Sequence, residues 1–458
     1  MSAARPPEGA QHRSAQHEGS SVSHRLNATH DPSLQSWVPS AQAPETDFPI
    51  QNLPFAVFRP AGGEARCGVG IGDRILDVGA CADLFDGPAA QAALACRAPR
   101  LNALMALGPA TASALRAGLS QRLSAAHTAD RERLGAALHA IDSVELVMPV
   151  QVSGFTDFFA SIHHATNAGR LFRPDMPLLP NYKHVPIAYN GRANSVRVSG
   201  APVQRPHGQL KGPQDAAPRF APAQRLDYEV ELGIYVGAPS AQARPIAVGD
   251  AWDHVFGVTL LNDWSARDIQ AWEYQPLGPF LAKSFATTVS PWVVTAEALA
   301  PFRTAVAPRA EDDPAPLPYL HDAVDQRHGG LRIALDAHLR SAQMAAKGLP
   351  PLRLSRSNAD LLYWSIAQML AHHTSNGSWL DTGDLLGSGT VSGDSADALG
   401  SLLEITAGGT RALTLPGGEQ RLFLADGDEL TLTGRCEARG HVAIGFGACR
   451  GTLLPASV

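Results

Sequence analysis

The pattern of apolar and polar positions divides the chain into three textures. Residues 1–46 are rich in Ala, Ser, Pro, His and Gln and carry no hydrophobic period, which predicts a disordered extension. Short apolar runs begin at Phe48. PFAVFRP, RCGVGIG and RILDVG read as strands separated by Gly and Pro turns. Helical periodicity follows over Ala89–Leu107 and Ala110–Ala140. Residues 47–148 are therefore expected to form a small β-rich domain with appended helices.

Strands dominate from about Val147 onward. SVRVSG, DYEVELGIYVG, HVFGVTLLND, VSPWVV, LRIALDAHLR, SLLEITAG, DELTLTG and HVAIGFG are short, rich in Val, Ile and Leu, and often end in Gly, Asn or Asp. Helices are expected at Thr156–Ala168, Trp264–Trp272 and Asn358–Ala371. Many short strands with few helices predict a mainly β (α+β) fold, with a β-sandwich or roll over residues 149–458 rather than a doubly wound sheet.

Composition narrows the class of partner. Hydrophobic residues make up 45% and charged residues 17%, as in globular proteins. A net charge of −6 without a basic block argues against nucleic acid. No apolar run approaches the ~20 residues of a membrane span, so no membrane partner is expected. Cys67, Cys81, Cys96, Cys436 and Cys449 show no CxxC spacing and no disulfide framework. With no charged-then-apolar leader at the N-terminus, this predicts a reducing cytoplasm.

Four stretches carry candidate chemistry. In FTDFFASIHHATNAGRLFRP the expected helix places Asp157 and His164 on one face, two turns apart. A carboxylate there suits a metal and an imidazole suits removal of a proton from water, although most histidines are structural. In YEVELGIYV, Glu229 and Glu231 share one strand face while Tyr228, Val230, Leu232, Ile234 and Val236 take the other. That acidic face is either solvated, the commoner case, or half of a hard-cation site.

In NDWSARDIQAWEYQPLGPFLAKSF, Asp263, Arg267 and Gln270 fall at i, i+4 and i+7 of an expected helix. Pro276 and Pro279 stop that helix and Lys283 returns beyond them. An Asp–Arg pair on a wet helix face is the commoner use of such spacing. In GDLLGSGTVSGDSADALGSLLEI, Gly-rich turns bracket Thr390 and Glu404 lies in a short apolar run. A buried Glu404 would orient an imidazole, whereas a solvated strand-end glutamate is more common. His372 and His373 have no acid at a useful spacing and are expected to be structural.

Together these stretches resemble the fumarylacetoacetate hydrolase family. The likeness runs from DFPIQNLPFAVF at Asp47 to the C-terminus, through TDFFASIHHATNAG, LLPNYKHVPIAYNGRANSVRVSG, LDYEVELGIYVG, the NDWSARD stretch, PLPYL and GDLLGSGTVSG. It implies a small SH3-like N-terminal barrel, a β-sandwich roll catalytic domain and a homodimer. It also implies a metal held by Asp157, Glu229, Glu231 and Asp263, with calcium (Ca2+) expected first and magnesium (Mg2+) next. Thr287 matches a ligand of a second, magnesium-like cation. His164 matches the base and Glu404 the acid that orients it. Arg267, Gln270 and Lys283 match groups that stabilise negative charge, and Phe159, Arg173, Tyr189, Tyr274 and Thr390 match substrate-contacting positions. Phe159 stands where a tyrosine is expected, and Asn190 where a histidine is expected.

The activity so implied is hydrolysis of the carbon–carbon bond of 4-fumarylacetoacetate to fumarate and acetoacetate, the last step of tyrosine and phenylalanine catabolism. Two alternatives stay open. One is an acylpyruvate hydrolase, or a keto-acid decarboxylase or tautomerase, of the same superfamily; these are usually shorter and lack the N-terminal barrel. The other is a non-catalytic, metal-dependent ligand-binding protein.

Overall fold

The strand Val230–Val236 is buried along its whole length. Its two faces enter different cores. Val230, Leu232, Ile234 and Val236 pack into one, and Tyr235 packs into the other. A strand read as half-exposed is thus covered on both sides, because it lies in the middle of a central mixed sheet. The computed structural model describes residues 25–457.

The central sheet runs in the order 188–190, 155–158, 385–387, 230–236, 255–263, 287–289 and 196–198, and 294–295 also pairs with 255–263. Strands 155–158 and 385–387 are parallel, as are 196–198 and 287–289. One face packs on a second sheet ordered 352–358, 334–340, 429–436, 444–454 and 203–204, with Leu260, Leu335, Leu339, Leu432 and Phe446 in the shared core. The other face meets the N-terminal domain through Leu261, Val289 and Leu385, which share a core with Val57, Val69 and Ile71. That domain holds an antiparallel sheet ordered 138–140, 74–77, 66–71, 55–60 and 144–147. The fold is mixed α+β and mostly sheet.

The N-terminal extension corrects one expectation from residue 25 onward. Asn27 Nδ2 donates to Glu297 Oε1 at 2.7 Å, and His30 Nε2 lies 2.9 Å from the Glu297 carbonyl. Buried Arg116 donates to Thr29 Oγ1 at 3.0 Å. Hydrogen bonds to distant elements hold residues 25–46, so the lack of a hydrophobic period misled. Residues 1–24 lie outside the described residues.

Several elements also differ in type or extent. The expected helix Thr156–Ala168 is a strand, Phe155–Phe158, followed by a helix at Ile162–Phe172. Ser161 caps that helix by accepting from the His164 amide at 3.4 Å. The next two begin later than expected, at Arg267–Glu273 and Ile366–Thr374. The second begins with a Ser365–Gln368 capping box. The two long N-terminal helices are broken into Gly87–Ala95, Asn102–Met105, Pro109–Leu123 and Arg131–Ala136. SLLEITAG, expected as a strand, contains a helical turn, Leu402–Ile405. Among the described residues no helix is long and apolar enough to cross a membrane.

Candidate active site

Register on the central sheet brings the acidic residues together. Residues opposed across a ladder point to the same face. Glu231 opposes Leu261, which shares its face with Asp263 two residues on. Asp263 opposes Thr287. Gly387 opposes both Gly233 and Asp157, and Asp157 opposes Tyr189. Asp157, Tyr189, Glu231, Asp263 and Thr287 therefore share one face, the one whose apolar part meets the N-terminal domain. Asp157 lies on a strand, so its proximity to the other acids comes from strand pairing and not from a helix shared with His164.

Three of these carboxylates, Asp157, Glu231 and Asp263, each offer an oxygen within 4.8 Å of one another. Gly387 makes the room: a Cβ there would meet Asp157 Oδ1 at 2.2 Å and Glu231 Oε2 at 3.0 Å. Glu229 and Glu231 are both buried, which excludes a solvated acidic face. Neither oxygen of Glu231 has a hydrogen-bond partner. Burial and Asp157 push the Glu231 carboxyl well above its ordinary range, and burial and Asp263 do the same to Asp157. Five buried carboxylates, Asp157, Asp227, Glu229, Glu231 and Asp263, face two buried cations, Arg267 and Lys283. Clustered hard oxygens with surplus negative charge fit a divalent cation such as calcium or magnesium.

Lys283 Nζ contacts Glu229 Oε2 at 2.5 Å and Asp263 Oδ2 at 2.7 Å. Tyr189 donates its hydroxyl to the same Asp263 oxygen at 2.8 Å. Thr287 Oγ1 is 3.5 Å from Asp263 Oδ1. Arg267 does not pair with Asp263 across a helix turn, because Asp263 ends the preceding strand. It pairs instead with Asp227 at 2.8 Å and Glu229 at 2.7 Å, and donates to Gln270 Oε1 at 3.2 Å. Burial raises the Glu229 carboxyl, but Lys283 and Arg267 outweigh burial and hold it below the usual range.

The second half of the site is a buried pair. His164 Nδ1 lies 2.7 Å from Glu404 Oε2. Ser392 and Ser401 each donate to the same oxygen at 2.9 Å, and Asn167 Nδ2 donates to Oε1 at 2.9 Å. Burial opposes this charge, yet His164 and the donors bring the Glu404 carboxyl down to about 2. An ionised Glu404 fixes the proton on Nδ1 and leaves the Nε2 lone pair as the base. Glu404 is neither solvated nor at a strand end; it sits on the helical turn capped by Ser401.

Of the remaining candidates, Phe159 touches the base directly. Phe159 packs edge-on against His164, with ring centroids 5.4 Å apart. Thr390 is buried with its hydroxyl unpartnered, and so is Arg173 Nε. Tyr274 follows the Arg267–Glu273 helix and accepts from Gln275 at 3.1 Å. A cavity of about 740 Å³ reaches Tyr189, Lys283 and Thr287 from between the two domains and is also lined by Asn190 and Arg192. His373 and His372 lie apart, on Thr156 Oγ1 and the Tyr319 hydroxyl.

Sequence reasoning passed over Asn167, Asp227, Ser392 and Ser401. Two had a legible signal. Asn167 is three residues after His164 on one helix, and Ser401-x-x-Glu404 has capping-box spacing. Asp227 and Ser392 had none.

The profile described as Fumarylacetoacetase N-terminal matches residues 51–149, and that described as Fumarylacetoacetate (FAA) hydrolase C-terminal matches residues 154–454. A fumarylacetoacetase of Dictyostelium discoideum is 44% identical over 423 residues, 90% of this chain and 96% of that protein. One from Bos taurus is 44% identical over 428 residues, covering 92% and 99%. One from Caenorhabditis elegans is 46% identical over 420 residues, covering 90% and 98%.

Proposed function

Because the chain belongs to the fumarylacetoacetate hydrolase family, we propose that it hydrolyses 4-fumarylacetoacetate to fumarate and acetoacetate, closing tyrosine and phenylalanine catabolism. The observation that carries this reading is a buried His164–Glu404 base beside an acid cluster with surplus charge. A divalent cation, calcium first and magnesium second, supplies Lewis-acid stabilisation of negative charge when held by Asp157, Glu229, Glu231 and Asp263. Thr287 is proposed as a ligand toward a second, magnesium-type cation.

His164 Nε2 takes a proton from water. The hydroxide attacks the carbonyl carbon beside the fumaryl group. The adjacent carbon–carbon bond then breaks, its electron pair leaves with the acetoacetate fragment as an enolate, and that carbon takes up a proton. Two contacts engage Lys283 Nζ, so one of its three N–H donors remains for the developing oxyanion. A well-placed donor of this kind contributes roughly 3–4 kcal/mol. Arg267 and Gln270 act beside it, and Arg267 also holds Glu229 in place. Phe159, Arg173, Tyr189, Tyr274 and Thr390 are proposed to contact substrate. The unpartnered polar atoms of Arg173 and Thr390 support that role.

We place the enzyme in the cytoplasm as a homodimer. All five cysteines are buried and free, as in a reducing compartment. Exposed Trp272, Leu277, Phe280 and Leu281 offer an apolar stretch for a second copy.

The test follows the ultraviolet band of fumarylacetoacetate with purified protein in calcium, in magnesium and in chelator. We expect metal-dependent loss of the band with fumarate as product. A folded, metal-loaded protein that leaves the band intact would overturn the reading. Turnover of acylpyruvates instead would then favour the related hydrolases, and tight diketone binding without product a binding protein.

A further inference from the structure

One of the buried carboxylates, neither a proposed metal ligand nor part of the base pair, contacts both the turn that carries Glu404 and Arg267. Asp227 is fully buried, on a strand residue that opposes Ser265. Its Oδ1 accepts the Leu402 N–H at 2.8 Å and the Tyr228 N–H at 2.8 Å. Its Oδ2 accepts the Leu403 N–H at 2.9 Å and Arg267 Nε at 2.9 Å. Leu402 and Leu403 open the helical turn that carries Glu404, where N–H groups have no carbonyl of their own turn to meet. Arg267, on its other side, holds Glu229 through Nη1 at 2.7 Å.

The division between the two oxygens is informative. Balancing the Arg267 charge needs only Oδ2. Oδ1 is engaged wholly by backbone, including Leu402, which lies 175 residues away in the chain. A single rigid carboxylate thus fixes the turn bearing Glu404 and the guanidinium bearing on Glu229.

We propose that Asp227 is a positioning residue that sets the His164–Glu404 base at its working distance from the carboxylate cluster. It touches no substrate. It acts through the Leu402–Ile405 turn on one side and through Arg267 on the other. The inference rests on the hydrolytic reading, in which His164 takes the proton from water. Displacing one half of such a site by ~1 Å costs about 100-fold in rate.

The experiment compares Asp227→Asn with the wild-type holoenzyme. The asparagine must turn an N–H toward Leu403 and Arg267, or toward Leu402 and Tyr228, so one anchor is lost. We expect kcat to fall about 100-fold with KM little changed. The acid limb of the pH–rate profile should move as well, because the turn that carries Glu404 loses an anchor. A second readout needs no turnover: the low-field proton resonance of the His164–Glu404 hydrogen bond, identified by its absence in His164→Ala, should shift or broaden. Asp227→Glu, which keeps the charge but moves it by one methylene, carries the same readouts if the asparagine variant does not fold. An unmoved resonance and pH profile in a folded variant would reduce Asp227 to a structural partner of Arg267 and overturn the proposal. Failure of the wild-type enzyme to turn over fumarylacetoacetate would instead strike the hydrolytic reading, leaving the resonance to judge Asp227.

Discussion

Glu231 and Glu404 are both buried glutamates in one site, yet their surroundings are opposite. Neither oxygen of Glu231 has a hydrogen-bond partner, and Asp157 and Asp263 crowd it. Glu404 receives His164, Asn167, Ser392 and Ser401. Burial raises both carboxyls, but only Glu404 is supplied with enough donors to reverse the effect. The difference separates two uses of one side chain. A carboxylate saturated by the protein is held ionised to orient a base. A carboxylate left without donors asks for a cation from outside.

The largest break in this comparison removes the group that Glu404 serves. His164→Ala should lose at least about 10⁴-fold in kcat while keeping its fold and its affinity for calcium. Measurable turnover near the wild-type level would remove His164 from the mechanism. Next, Glu404→Gln should lose about 10³-fold in kcat, since the imidazole loses its orienting charge.

That variant also tests the electrostatics. A carboxyl lowered to about 2 from its ordinary 4.5 stabilises the fold above pH ~4.5, and this contribution fades as pH falls through ~2. Acid-unfolding curves should therefore show a few kcal/mol of pH-dependent stability between those limits in the wild type, and less in Glu404→Gln. Parallel curves for the two proteins would contradict the assignment.

Glu231→Gln should behave in the reverse sense. Calcium affinity, read by calorimetry, should drop at least about 10-fold. In chelator, however, the variant should be more stable than the wild type by about 1 kcal/mol or more, because the cost of burying a carboxyl beside other carboxylates has gone. A variant destabilised under both conditions would mean that Glu231 is held by contacts of its own. The smallest effect is expected at the rim of the base. Phe159→Tyr adds one hydroxyl near His164, and one hydrogen bond of ~1 kcal/mol would lower KM about 5-fold. An unchanged KM would place the Phe159 ring outside the substrate's reach.

Legibility varied with the range of the interactions involved. Glu229 and Glu231 were readable as a pair on one strand face, because a period of two is a local property. Their burial was not readable, since it depends on Asp157, Arg267 and Lys283 packing around them from other segments of the chain. Asp157 and His164 were chosen for a helical spacing that does not exist. Asp157 lies on the strand 155–158, whereas His164 lies on the following helix, which Ser161 caps. The Asp263–Arg267 pair that i, i+4 spacing offers as an alternative is absent for the same reason: Asp227 lies 40 residues away from Arg267 in sequence and directly beside it in space.

The sequence by itself determined many of the strands, among them 230–236, 255–263, 334–340 and 429–436, and the family whose motifs run along the chain. Only the tertiary structure decided which carboxylates lack donors. That property depends on the whole surrounding shell, and donors such as Ser392 and Asn167 reach Glu404 from separate segments of the chain. Periodicity follows from the geometry of one chain segment, whereas the charge state of a buried group follows from every segment packed around it.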